Sequence, residues 1–291
     1  MQKVKKKEPT ALETLKDLIS RNREFDIIDL FSDMHPADIA DLIDELEEED
    51  RLHLFSLLDV DKASDVILEL SDTSREQLIE DLSNEKLTDI IEEMDSDDKA
   101  DIIAELSDDQ AKAVLEAIEP EESQEVQELL KYADDTAGGI MQSELVSVRK
   151  DATINDAFQA VADAKDEIEN IHNIFVVDET DKLIGTVPLQ SIITTKRFTP
   201  ILDIIDEDIP SVLHDMDQEE VARLFKKYDL VSIGVVDNQQ RLLGRITIDD
   251  VVDAIQEETS EDIYRIAGLG EDDTVFNNTT ESVKKRLRGF I

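Results

Sequence analysis

Between residues 36 and 131 apolar side chains return at every twelfth position without a gap, and this regularity restricts the fold more than any other feature of the chain. Leu46, Leu58, Leu70, Leu82, Met94, Leu106, Ile118 and Leu130 form one row, and Leu42, Leu54, Val66, Leu78, Ile90, Ile102, Val114 and Val126 form a second, four positions earlier. Residues i and i+4 share a helical face, and Ile43, Phe55, Ile67, Ile79, Ile91, Ile103 and Leu115 widen the stripe, so each unit is expected to be a short amphipathic helix. Ser71-Asp72, Ser83-Asn84, Asp95-Ser96-Asp97, Ser107-Asp108 and Glu119-Pro120 lie between the stripes, where helix starts need caps. One such helix cannot hide its apolar face alone, so the units must stack into a helical array or superhelix.

The outside of that array is acidic: from Pro36 to Lys131 there are 33 Asp and Glu against 7 Lys and Arg. Over all 291 residues the net charge is -43, which argues against a nucleic-acid partner and for cations or basic partners. Most of these carboxylates are expected to be solvated surface. Asp97 and Asp101 stand four apart at the densest helix start, Asp95 to Asp101; there they either share a cation or its hydration shell, or serve a helix N-terminus whose dipole favours acids. The chain has no Cys, which excludes disulfides and thiolate metal sites. No apolar run long enough to span a bilayer and no signal-peptide pattern is read in it. The four histidines, His35, His53, His172 and His214, are scattered, and no phosphate loop, HExxH or nucleophile elbow occurs, so an enzyme is not expected.

The second half contains one unit twice. Ile233 to Asp253 reads as strand, turn, strand and helix, with the apolar period changing from two to that of a helix after Thr247. Ile174 to Ile193 is a near copy, in which Val177 matches Val236 and Gly185 matches Gly244 at one and the same offset. A strand and a helix precede each copy, Val146–Val148 with Thr153–Ala164, and Ser211–Leu213 with Asp217–Lys227. Gly138-Gly139 is expected to end the last array helix and release the chain. On the last helix Val251, Val252 and Ile255 are expected to face the core, leaving Asp250 and Asp253 together on the opposite side.

The duplicated unit, with Gly244-Arg-Ile-Thr247-Ile-Asp-Asp250 at its last strand-to-helix turn, resembles a CBS-domain pair. The full order is more particular: an acidic short-helix array, the junction DDTAGGIM, a pair holding DQEEVARLFKKYDL, then TSEDIYRIAGL. From about Phe25 onward it resembles the cytosolic part of MgtE-type magnesium channels or transporters. The resemblance implies a multidomain α plus α/β chain: a tail 1–23, a helical N domain 24–135, CBS domains 136–203 and 204–264, and a connecting helix 265–291 toward a transmembrane pore domain. It further implies a homodimer at the cytoplasmic face of the membrane. Separately from the resemblance, Tyr264, Ile266 and Leu269 are read as candidates for a dimer contact. The basic end, Lys284 to Arg288, suits an anionic leaflet.

The family's regulatory Mg2+ ligands carry over to Asp97, Asp101, Gly139 through its carbonyl, Asp217, Glu219, Asp229, Asp250, Asp253, Glu258 and Glu261, with a main-chain oxygen at Lys226. Thr247 and Asp250 also match the phosphate and ribose contacts of nucleotide-binding CBS pairs, but the first unit has Ser191 where the second has Asp250, so ATP is the weaker reading. The alternatives are an adenine-nucleotide sensor and a non-catalytic docking scaffold, since the array also resembles the helical arrays of flagellar motor switches.

Overall fold

The computed structural model describes residues 10–165, 168, 170–208 and 210–267, with the backbone alone at 257 and 260–267. The chain divides into two compact units, residues 1–128 and residues 129–291. Tyr264, Ile266 and Glu261 therefore have no described side chain, and Leu269 and the basic end lie outside the described residues.

The first unit is a run of short helices: α1 (Ala11–Ser20), α2 (Glu24–Ser32), α3 (Pro36–Asp44), α4 (Glu48–Phe55), α5 (Val60–Leu68), α6 (Asp72–Asp81), α7 (Asn84–Glu92), α8 (Ser96–Glu105), α9 (Asp108–Ala117) and α10 (Pro120–Leu129). Helix α1 falls within the stretch 1–23 read as a tail; Thr10 and Glu13 cap it reciprocally and Leu15 is buried. Along the array α3, α5, α7 and α9 contact one another in succession and α4 contacts α6, so successive helices alternate between two rows. The structural repeat is therefore a pair of helices, two of the sequence units.

The two apolar rows do not lie on one helical face as the spacing suggests. Leu54, Val66, Leu78, Ile90, Ile102 and Val114 are buried within helices, but Leu46, Leu58, Met94, Leu106 and Ile118 follow the helix ends. There their amides close the last turn, as Leu46 N–H does on Ile43 O at 3.0 Å and Met94 N–H on Ile91 O at 3.2 Å. A twelve-residue unit holding a helix of eight to ten leaves only a tight turn, and an apolar residue in that turn plugs the gap before the next helix.

The second unit contains β1 (Ser147–Arg149), α11 (Ile154–Asp163), β2 (Asn173–Val177), β3 (Leu183–Pro188) and α12 (Leu189–Thr194), then β4 (Ser211–Leu213), α13 (Gln218–Tyr228), β5 (Ser232–Val236), β6 (Leu242–Thr247) and α14 (Ile248–Ala267). Each half folds a three-stranded sheet in the order β1-β2-β3 or β4-β5-β6, parallel then antiparallel. The register repeats as the sequence does: Ile174 opposes Val187 and Ile233 opposes Ile246, with an irregularity at Val176/Val177 and again at Val235/Val236.

The halves are laced reciprocally. Gln142, ahead of the first half, pairs with Arg245 on β6, and Asp206, ahead of the second, pairs with Thr186 on β3. Gly185 and Gly244 lie where these segments cross; a Cβ there would stand 2.5 Å from Asp206 O or Gln142 O. The hairpin tips also pair, Leu183 N–H to Gln240 O and Leu242 N–H to Asp181 O, both at 3.0 Å.

The junction is not released chain. Helix α10 ends at Leu129, and Ala137 and Gly138 donate their amides to Met216 O (2.7 Å) and His214 O (2.8 Å), while Gln218 N–H donates to Asp135 O. A Cβ on Gly138 would stand 2.6 Å from the Tyr132 ring and 2.9 Å from His214 O, so this glycine permits close approach rather than stopping a helix. Among the described residues no helix is long and apolar enough to cross a membrane.

Candidate cation site

In the first unit, the Asp95 backbone caps α8, placing Asp97 and Asp101 one turn apart. They differ in surroundings: Asp97 is 6% exposed and its Oδ1 accepts the Asp98 amide at 3.0 Å, whereas Asp101 is exposed. The dipole-favoured position at the helix start and the outward carboxylate are thus held by two different residues.

In the second unit, Asp217 and Asp229 mark the two ends of α13. Asp217 Oδ1 accepts the Glu219 and Glu220 amides at 2.9 and 3.3 Å, and Asp229 closes the helix in the left-handed conformation (φ 52) that Asp tolerates. Glu219 pairs with Arg223. Glu219, Lys226 and Glu258 line one groove of about 320 Å³ between α13 and α14, where Glu258 Oε1 accepts from Gln218 Nε2 at 3.0 Å. Gly139 is half-buried in the junction turn, its amide donating to Thr136 O at 2.9 Å; a Cβ there would stand 2.5 Å from Ala133 O.

The expected face of α14 is corrected by the structure. Val251 and Ala254 turn inward, against α13 and β6, while Val252 and Ile255 are 46% and 48% exposed. Asp250 and Asp253 accordingly do not form an outward pair. Asp253 is exposed, but Asp250 bends back over the first turn, its Oδ2 accepting from the Thr247 amide (2.9 Å) and hydroxyl (2.7 Å). Those bonds satisfy an amide at the helix start, while the buried Val251 and Ala254 pack the helix inward.

Behind Asp250 lies a buried polar chain that the sequence reading missed. Arg245, 5% exposed, donates through Nη1 to Asn170 O at 2.7 Å and through Nη2 to Gln142 Oε1 at 3.0 Å; Gln142 Nε2 is 3.5 Å from Asp250 Oδ1. The signal was an arginine at a buried position of the otherwise apolar strand LLGRIT. Burial pushes the Asp250 carboxyl above its ordinary range; the Thr247 hydrogen bonds oppose this, Asp249 adds to it, and the Arg245 charge opposes it.

A carboxyl raised in the folded state binds its proton more tightly there than in the unfolded chain. It therefore favours folding below the ordinary carboxylate pKa, and that contribution is lost as pH rises through the folded value. In metal-free buffer, Asp250→Asn is expected to lose ground against the parent as the medium is acidified from neutral toward pH ~4.5. Thermal melts at the two pH values check this; a difference moving in the variant's favour on acidification would contradict it.

Among the described residues no three Asp, Glu or His side chains converge on one point. The donor chemistry suits Mg2+ nonetheless, because Mg2+ keeps several waters and is commonly held by one or two carboxylates with main-chain oxygens. For a nucleotide, the second CBS unit offers the bonded pair Thr247 and Asp250, while the first has Pro188 and Ser191 at the corresponding places.

Comparison with known proteins follows the same division. The model of the MgtE intracellular N domain matches residues 34–135, and the CBS-domain model matches 137–196 and 201–257. Curated magnesium transporters MgtE from Enterococcus faecalis and Thermus thermophilus are 36% identical over 171 residues and 37% identical over 158. Those alignments cover 59% and 54% of this chain but 38% and 35% of the relatives, so the matched part is somewhat over a third of their length. A solved soluble part of a magnesium transporter aligns with TM-score 0.74 at 30% identity, covering 85% of this chain and 97% of that one. The cytosolic domain of the Mg2+ channel MgtE in complex with ATP aligns with TM-score 0.78 at 32% identity, covering 83% and 99%. With its acidic helical array leading into a laced CBS pair, this chain belongs to the MgtE family.

Proposed function

We propose that the chain is the cytosolic magnesium-sensing and gating region of a magnesium channel or transporter. The observation that carries this is the match, over 99% of its length, to the cytosolic domain of a Mg2+ channel, in a chain whose net charge is -43. In this reading residues 24–135 are the N domain, 136–203 and 204–264 the CBS domains, and 265–291 the connection to a membrane pore that places the region at the cytoplasmic face. It performs no catalysis.

The ligand set is Asp97, Asp101, the Gly139 carbonyl, Asp217, Glu219, Asp229, Asp250, Asp253, Glu258 and Glu261. Carboxylates brought within about 4 Å repel by roughly 1 kcal/mol in water and several-fold more where partly desolvated. The array, the CBS pair and the connecting helix tolerate mutual approach when Mg2+ is held between them, and the compact arrangement keeps the pore closed. Because the ion binds that arrangement more tightly, its concentration sets the population. A homodimer fits the apolar residues left outward, Ile248, Val252 and Ile255 on α14 and Phe158 and Ile193 on the first CBS half. ATP is a second reading, favoured by the Thr247–Asp250 pair and by the ATP complex of the related structure.

Small-angle scattering of the 291-residue chain is expected to show a falling radius of gyration as Mg2+ rises through the millimolar range. Asp97→Asn combined with Asp101→Asn should blunt that response. A radius indifferent to Mg2+ would favour a docking scaffold instead.

A further inference from the structure

Three basic side chains recur along the acidic array, one in every second unit of the repeat: Arg51 on α4, Arg75 on α6 and Lys99 on α8. Each reaches the next helix of its own row. Arg51 Nη1 donates to Gln77 Oε1 at 2.8 Å, Arg75 clasps Glu105 through Nε (3.0 Å) and Nη2 (2.7 Å), and Lys99 Nζ is 3.4 Å from Glu122 Oε2. Arg51 also donates to Leu46 O and Asp44 O, and Arg75 to Leu68 O, so two of the three help to terminate the preceding odd-numbered helix.

Arg75 differs from the others in what it faces. Its partner Glu105 lies one turn beyond Asp101 on α8, and Asp97, Asp101 and Glu105 follow one another at i, i+4 and i+8. The same Nη2 is also 3.3 Å from Asp72 Oδ1. The guanidinium is largely buried, which works against its charge, yet the Glu105 bonds and the charges of Glu105, Asp72 and Asp101 outweigh this and hold it firmly protonated. A fixed positive charge is thus built into the same acidic edge that carries Asp97 and Asp101.

We propose that Arg75 is the internal counter-ion of the α8 acidic edge, and that by sharing charge with Asp101 it weakens that carboxylate's hold on a divalent cation. It thereby sets the concentration at which the array responds. This rests on the assignment of Asp101 as a ligand. A resident cation beside the acids raises the concentration needed without consuming a ligand.

The test is Mg2+ titration of the 291-residue chain, by calorimetry and by the amide resonances of α8. Arg75→Gln is expected to tighten Mg2+ binding at α8 by about three- to tenfold, a single charge acting across a partly solvated surface. Arg75→Lys keeps the charge but not the two-point clasp on Glu105, so its affinity should fall between that of Arg75→Gln and the parent. Arg75→Met, apolar and of similar length, is a second charge-free variant that keeps the test decisive if Arg75→Gln does not fold, and it should tighten binding likewise. Unchanged or weaker binding in the charge-free variants overturns the proposal. Asp101→Asn separates the two levels: if it leaves the α8 response intact, the ligand assignment itself fails, whereas if it abolishes the response and Arg75→Gln is silent, only the counter-ion role fails.

Discussion

Replacing Gly244 by alanine is expected to destabilise the CBS pair by about 3 kcal/mol, lowering its melting temperature by roughly 6–12 °C. The new methyl would stand 2.5 Å from Gln142 O and 3.1 Å from Met141 Sδ, and the first of these is backbone that cannot swing aside. Relief requires the incoming segment to move, and that segment exchanges both hydrogen bonds of the crossing, Gln142 N–H to Arg245 O at 2.7 Å and Arg245 N–H to Gln142 O at 2.8 Å. Moving it also disturbs Gln142 Oε1, one of the two acceptors of the buried Arg245 guanidinium, and an unpaired buried charge is costly. Differential scanning calorimetry measures the shift; a variant melting within about 2 °C of the parent would mean that the crossing is not under strain.

The same crossing shows what could be read from residues alone. The constant offset between the two copies gave the duplication, the strand and helix order, and Gly185 and Gly244 as equivalent positions, because local periodicity and turn chemistry are written in neighbouring residues. Why a glycine is needed there was not legible, since the clash comes from Gln142 and Asp206, which are far away in sequence or belong to the other half. Tertiary context likewise overrode the helical wheel on α14. Spacing permits Val252 and Ile255 to face inward, but Asp250 is tied to Thr247 and the helix settles on Val251 and Ala254. In the array, the caps Ser83, Asp95 and Ser107 were readable, while the division of apolar residues between helix and turn was not, because both kinds of site recur at every twelfth position.

The candidate ligands divide on the same line. Acids at helix starts, such as Asp97 and Asp217, are legible because caps are local. Their surroundings are not: Asp217 Oδ1 and Asp250 Oδ2 are already committed to amides, and Asp97 is buried, while Asp101 and Asp253 face solvent.

Two phenylalanines provide the sharpest test of how the array is held together. Phe55 is fully buried at the end of α4, and it belongs to a series, Phe31, Phe55, Ile79 and Ile103, with one buried member on each even-numbered helix from α2 to α8. Truncation to alanine removes most of a large side chain from a close-packed site, and Phe55→Ala is expected to cost about 3–5 kcal/mol. Because each helix of such an array is stabilised mainly by its neighbours, the loss should spread first to α3 and α6, which α4 contacts, and fade along the row. Phe25, by contrast, is 90% exposed on α2, and Phe25→Ala should fall within about 0.5 kcal/mol of the parent. Hydrogen exchange followed residue by residue measures both: amides of α3 to α6 should open by two or more orders of magnitude in Phe55→Ala, as about 3 kcal/mol requires. If the two variants behave alike, burial within the array is not what stabilises it, and the two-row stacking of its helices is wrong.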